Sequence, residues 1–126
     1  MHIKDHGGPG LSQITSGAIA YEFGRMEASI GTFFIVHNCL GLTVIDMLGD
    51  EDQRRRFLPD GISLKKVISF ALTEPGQGSD AANIKTTAKK VPGGFILNGV
   101  KRWIGNGTFA GLFIVWAKNV DEGNKI

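Results

Sequence analysis

Two periodicities meet near Gly61. Before it, apolar residues recur at helical spacing; after it, short apolar runs are cut by glycine-rich turns. Leu11, Ile14, Ala18 and Tyr21 follow the helical period, and Phe23 and Met26 continue the apolar side. Ser12 stands where an N-cap belongs, so a first helix is expected from there to about Met26. A short break near Ala28 to Gly31 leads into a second helix, about Thr32 to Leu48, whose apolar residues run nearly all round. A helix apolar on every side is packed on every side. It is expected at the centre of a helical bundle, with neighbours that this chain lacks. Gly49 suits the position after its last turn, and Asp50 with Gln53 forms a capping-box pattern for a third helix. Glu51 and Asp52 in its first turn, and Arg54 to Arg56 further on, match the helix dipole. Pro59 is expected to end it.

Beyond Gly61, five short strands are predicted: Val67 to Thr73, Lys85 to Val91, Gly94 to Asn98, Val100 to Ile104 and Leu112 to Ala117. Val91-Pro92-Gly93-Gly94 and Asn98-Gly99 supply turns, the second being a hairpin signal. The last strand is apolar enough to be buried on both faces. The fold class expected is α+β: part of a helical domain over 1–66, then the first part of an antiparallel β-domain over 67–126.

Composition narrows the class. Hydrophobic residues make up 42% and charged residues 21% of 126 positions, the balance of a chain that folds around a core. Net charge is only +2, yet residues 81 to 120 carry six basic side chains and no acid, which suits an anionic partner or a solvated face. Ala28 to Ile45 is an uncharged run of 18 residues, near the length that spans a bilayer. With His37, Asn38 and two glycines inside it, it reads as a buried helix of a soluble protein. The start, Met1 to His6, has no apolar stretch behind a basic end and does not read as a signal peptide. Cys39 is the one cysteine, so no internal disulfide forms, and its apolar setting predicts a buried packing residue. His2, His6 and His37 have no ligand-like spacing with it, and no metal is expected.

The chemistry gathers at Phe70-Ala71-Leu72-Thr73-Glu74-Pro75-Gly76-Gln77-Gly78-Ser79-Asp80. A buried strand ends there in hydroxyls and free main-chain amides, and glycine lets a ligand approach the backbone. Such an end suits a flavin, a nucleotide or a phosphate; an ordinary strand exit is the alternative. Gly76 to Ala81 matches the dinucleotide pattern G-x-G-x-x-A, but its context fails. No helical pattern follows, and the acid expected about 20 residues on is missing. A second stretch, Lys101-Arg102-Trp103-Ile104-Gly105-Asn106-Gly107, sets a tryptophan between a basic pair and a glycine-rich exit. Trp103 there serves either to stack on a planar ring or to pack a core.

Together, in this order, the two motifs resemble the acyl-CoA dehydrogenase and acyl-CoA oxidase flavoprotein family. Gly49-Asp50-Glu51-Asp52-Gln53 with Phe57-Leu58-Pro59, and Gly7-Gly8-Pro9-Gly10-Leu11-Ser12, are similar to further stretches of it, so the resemblance covers nearly the whole chain. It implies a helical N-terminal region, a middle β-domain and a C-terminal helical bundle that this chain does not contain, with FAD between sheet and bundle. The positions that match the family's flavin contacts are Phe70, Leu72, Thr73, Trp103, Ile104 and Gly105. Ser79 matches a serine that contacts acyl-CoA, and Gly31 with Thr32 falls in the substrate-facing segment. Gln77 departs from the small residue usual there. Gly105 stands where many dehydrogenases have a threonine, which leaves only its backbone to bond.

The Arg102-Trp103-Ile104-Gly105-Asn106 form and Ser29-Ile30-Gly31-Thr32 look most like the plant-type short-chain acyl-CoA oxidases. The similar glutaryl-CoA dehydrogenases carry an arginine where Gly31 stands, so a dicarboxylic substrate is disfavoured. The reaction implied is α,β-dehydrogenation of an acyl-CoA thioester. No catalytic residue is assigned: the family's base lies beyond residue 126, and Glu74 is read as structural. The resemblance further implies a homo-oligomer, dimer or tetramer, in the peroxisome or mitochondrial matrix, without nucleic acid or membrane as partner. This chain alone is expected to be inactive. The alternatives are an inactive fragment, or a basic β module that binds an anionic partner such as nucleic acid.

Overall fold

The computed structural model describes residues 3–126; Met1 and His2, the first residues of the start judged not to be a signal peptide, lie outside the described residues. The chain forms two compact units, Met1–Phe70 with Gly105–Phe113, and Ala71–Ile104 with Ile114–Ile126.

The first unit is helical. A 3-10 turn, Ile3–His6, leads to α1, Gln13–Met26, where the Ser12 hydroxyl accepts from Thr15 N–H at 3.1 Å. The second helix, α2, runs from Ala28 to Leu48, so the break expected over 28–31 is confined to Glu27. Glu27 is extended and closes α1, while its carboxylate caps α2 by accepting from Ser29 and Ile30 N–H. One residue with its own capping side chain turns the chain, and nothing longer is needed. The middle of α2, Ile35–Leu42, is a π-helix, and Thr43 N–H closes on Asn38 C=O.

The third helix, α3, spans Glu51–Ile62 behind the expected capping box of Asp50 and Gln53. Pro59 does not end it. The ring removes one donor in the last turns, but Leu58 is wholly buried and Gly61 packs on Leu42 and Ile68, so packing carries the helix on. Gly49 is needed for space: it is extended, and a Cβ there would lie 2.5 Å from Ile45 C=O.

Strand β1, Ile68–Ala71, begins in this unit, and Ile68 is the packing key. It has no exposure and sits where Gly41 and Gly61 leave room; a Cβ on Gly41 would lie 2.7 Å from its Cγ2. Burying such a side chain contributes about 2 kcal/mol. Above it, the His37 ring, 1% exposed and stacked on Phe33, joins two backbones. Ile68 N–H donates to Nδ1 at 3.0 Å, so the proton sits on Nε2, which donates to Gly61 C=O at 3.0 Å.

The expectation of a helix covered on every side is not met within this chain: Ile30, Ile35, Met47 and Leu48 of α2 are all exposed. Cys39, expected in the core, is exposed as well, because it lies on the face of α2 away from Ile68 and His37. By length and composition alone α2 could cross a membrane.

The second unit is built on a three-stranded sheet in the order β3-β2-β5, with β2 Thr87–Val91, β3 Gly94–Asn98 and β5 Lys118–Asn119. β2 and β3 form the expected antiparallel hairpin around Pro92-Gly93, with Gly93 at φ 85°. β5 joins β2 in parallel, which the long excursion between them permits. β4, Leu112–Val115, pairs with β1 and is only half covered, with Phe113 and Val115 exposed; burial on both faces was expected. Val100 to Ile104 is not a strand, and Asn98-Gly99 makes no hairpin. Gly99, at φ 155°, passes so close to Thr86 that a Cβ would lie 2.4 Å from its hydroxyl, and the chain then turns to send Lys101 inward.

His37→Leu is expected to lower the stability of the helical unit by about 3 kcal/mol, because it keeps the volume but leaves Gly61 C=O and Ile68 N–H unpaired. Urea unfolding followed by circular dichroism checks this; an unchanged midpoint would show the ring to be dispensable.

Candidate functional site

Glu74 closes the strand exit of the second unit. Its backbone pairs with Gln77 in both directions, at 3.0 and 3.2 Å, around Pro75-Gly76. Its side chain turns inward and is 3% exposed. Oε1 accepts from Thr86 N–H at 2.8 Å, the Thr86 hydroxyl at 2.5 Å and Lys101 Nζ at 2.9 Å, and Oε2 accepts from Lys85 N–H at 2.6 Å. Burial alone raises a carboxyl's pKa. Here the donors from Thr86, Lys85 and Lys101 outweigh it and hold Glu74 at about 2. A carboxylate so stabilised is a poor proton acceptor.

Lys101 completes this arrangement and was not singled out by sequence reasoning. Its side chain is 12% exposed, and its ammonium donates both to Glu74 and to Leu72 C=O, the latter at 2.8 Å. The pairing removes it from the basic stretch that suggested an anionic partner. A signal was available: the segment from 81 to 120 holds no acid to pair with, and Glu74 lies just before it.

Thr73 stands between the two anchored peptides. Its C=O accepts Arg102 N–H at 2.9 Å, which joins the Leu72–Thr73 exit to the Trp103 segment. Among the described residues, neither the N–H nor the hydroxyl of Thr73 has a protein partner. Trp103 is 78% exposed at φ 60°, with the Arg102 guanidinium 4.3 Å from its ring centroid. It is a surface ring and not a core residue, and Ile104 beside it is half-buried. A free amide, a free hydroxyl and a presented indole suit a planar heterocycle with an apolar ring and a polar edge. The Gly76–Asp80 loop is open: a Cβ on Gly76 or Gly78 would touch nothing, and Ser79 is exposed. A single 3-10 turn, Ala81–Asn83, and then a strand follow it, so the dinucleotide-helix reading has no helix to rest on.

The other candidates belong to the first unit. Phe70 is half-buried in β1, and beside that strand Ser69 Oγ donates to Gly105 C=O at 2.7 Å. That bond occupies the acceptor of Gly105 and leaves its N–H as the group on offer. Gly31 is buried where α1 and α2 touch; a Cβ would lie 3.0 Å from Gly24 Cα, so a larger side chain there would press on α1. The Thr32 hydroxyl donates back to Ala28 C=O. An apolar cavity of about 390 Å³ also lies in this unit, lined by Pro9, Leu11, Phe34, Cys39, Leu42 and Ile62 among others.

Comparison with known proteins is consistent along the chain. Residues 1–65 match the family described as acyl-CoA dehydrogenase, N-terminal domain, and residues 69–126 match acyl-CoA dehydrogenase, middle domain. The mitochondrial isobutyryl-CoA dehydrogenase of Dictyostelium discoideum is 40% identical over 120 residues, 94% of this chain and 28% of that protein. A glutaryl-CoA dehydrogenase of Mycobacterium smegmatis, solved in complex with FADH2, superposes with a TM-score of 0.89 at 32% identity, covering 96% of this chain and 31% of that one. An acyl-CoA dehydrogenase of Bacillus anthracis complexed with FAD gives 0.85 at 39% identity, covering 93% and 21%. The chain thus spans less than a third of the length of these relatives.

The Glu74 cluster makes the second unit acid-sensitive. A carboxyl lowered from 4.5 to about 2 on folding stabilises the folded state above its unfolded pKa, and that stability is lost as pH falls through the folded one. The shift corresponds to about 3 kcal/mol. Unfolding midpoints measured between pH 6 and pH 2 should fall in wild type, and Glu74→Gln should flatten that fall. Parallel profiles would remove Glu74 from the account.

Proposed function

The chain belongs to the acyl-CoA dehydrogenase family, and on that premise we propose that the polypeptide carrying it is an FAD-dependent flavoprotein that dehydrogenates an acyl-CoA thioester between Cα and Cβ. The observation that carries this reading is the Thr73 exit, with its unpartnered amide and hydroxyl joined to the Trp103 segment by the Arg102–Thr73 bond. Relatives solved with FAD and FADH2 support it.

In this reading Phe70, Leu72, Thr73, Trp103, Ile104 and the Gly105 backbone hold the flavin, with Thr73 bonding its polar edge and Trp103 packing on the ring. Bound FAD supplies the acceptor for the hydride that leaves Cβ. Ser79, on the open loop, contacts the acyl-CoA, and Gly31 with Thr32 borders the acyl group. No arginine stands at Gly31 to pair with a second carboxylate, which favours a monocarboxylic acyl chain. Residues 1–66 form part of the N-terminal helical domain and 67–126 the first part of the middle domain. The family resemblance implies a base outside this chain, and Glu74, engaged by four donor groups, is not a substitute for it. The names of the relatives favour a dehydrogenase over an oxidase and a mitochondrial location over a peroxisomal one. The exposed apolar face of α2 fits helix packing in a dimeric or tetrameric soluble protein better than a bilayer, since α2 also carries the buried, polar His37 and Asp46.

The full polypeptide should purify yellow, and Trp103→Ala should weaken FAD retention about fivefold, for stacking worth on the order of 1 kcal/mol. Visible flavin absorbance per polypeptide after desalting measures both. Colourless wild-type protein that takes up no added FAD would overturn the proposal.

The 126-residue chain alone should not turn over butyryl-CoA with added FAD, followed anaerobically by flavin bleaching and in air by peroxide release. Turnover that Glu74→Gln abolishes would place the base here.

A further inference from the structure

The peptide between Leu72 and Thr73 is gripped from one side only. Its carbonyl points into the closed Glu74–Lys101 cluster, where the Lys101 ammonium donates to it at 2.8 Å. Among the described residues, none of the peptide bonds is cis. In a planar trans peptide the C=O and N–H point in opposite directions. The Thr73 N–H therefore points away from the cluster, and among the described residues it has no partner. The following carbonyl, that of Thr73, is held by Arg102 N–H at 2.9 Å. Both peptides that flank Thr73 are thus fixed by the Lys101–Arg102 stretch. The lysine is itself fixed by Glu74, whose other donors come from Lys85 and Thr86.

We propose that Lys101 is the positioning residue for the flavin: it aims the Thr73 amide outward by holding Leu72 C=O, and its charge strengthens that amide as a donor. The second effect follows because a hydrogen bond to the carbonyl of a peptide polarises the N–H of the same peptide. A cation at the carbonyl does so more than a neutral donor. The group that meets the ligand is a main-chain amide, so its strength is tuned by a side chain that does not touch the ligand. The inference rests on the flavin reading above, and it assigns Glu74 the role of holding Lys101 in place.

The test combines amide exchange with FAD titration on the full polypeptide freed of flavin. In the wild-type apoprotein the Thr73 amide should exchange rapidly with deuterium and become protected when FAD is added. Lys101→Met should shift the Thr73 amide resonance in the apoprotein and weaken FAD binding at least tenfold. Glu74→Gln with Lys101→Met leaves no buried carboxylate without its countercharge, and it should show the same two effects with a urea midpoint nearer to wild type. Lys101→Arg, which keeps a donor and a charge, should restore part of the affinity. A Thr73 amide protected before FAD is added overturns the proposal, whatever the variants do. So does wild-type FAD affinity in the double variant, or weakened binding with an unmoved Thr73 resonance. Wild-type protein that binds no FAD overturns the flavin reading itself, a different outcome from tight wild-type binding that Lys101→Met leaves unaltered.

Discussion

The second unit depends on one buried carboxylate. Glu74 draws together three stretches distant in sequence: its own turn, the Lys85–Thr86 approach to β2, and Lys101. A buried charge is tolerated only where its lone pairs are met, and breaking such a pair typically costs about 3–5 kcal/mol. That requirement explains the local irregularities. Gly99 passes against Thr86 because Thr86 must offer both its hydroxyl and its amide to the carboxylate. The chain from Val100 to Ile104 gives up strand geometry because Lys101 must face inward while Trp103 remains outside. The same carboxylate that is unsuited to proton transfer thus organises the surface where binding is proposed.

The first unit answers to a different constraint, the seat of Ile68. Gly41 and Gly61 leave a notch for its side chain, and the His37 ring, on one side of that notch, binds the strand's first amide to the end of α3. Apolar packing and two buried hydrogen bonds act at one place, and the strand enters against the helices in one register. Away from this seat, α2 keeps large apolar side chains exposed. Relatives more than three times as long as this chain carry further sequence that is absent here.

The surface proposed for the flavin in the second unit relies on a backbone group, the amide of Thr73. Trp103 adds a ring held out at positive φ beside Arg102. Backbone donors do not depend on rotamer choice, so what must be controlled is the orientation of their peptides. Side chains that stay clear of the ligand can exert that control.

Much of this was legible in the residue pattern, because it follows from local physics. Ser12 and the Asp50–Gln53 capping box mark helix starts, Pro92-Gly93 marks a turn, and the change of period after Gly61 separates helices from strands. The two glycine-rich motifs, read side by side, point to the family without any coordinates. Other features were settled only when distant groups met. Pro59 looked like a stop, but Leu58 and Gly61 had packing to complete beyond it. Asn98-Gly99 looked like a hairpin, but Lys101 had a buried carboxylate to reach. Trp103 taken alone reads first as a core residue, and its exposure puts it at the surface. The division has one physical cause. Caps, turns and periodicity are short-range and can be read from neighbours in sequence. The burial of Glu74 and the docking of Ile68 are long-range, and their energies override local preference only once the fold has brought the partners together.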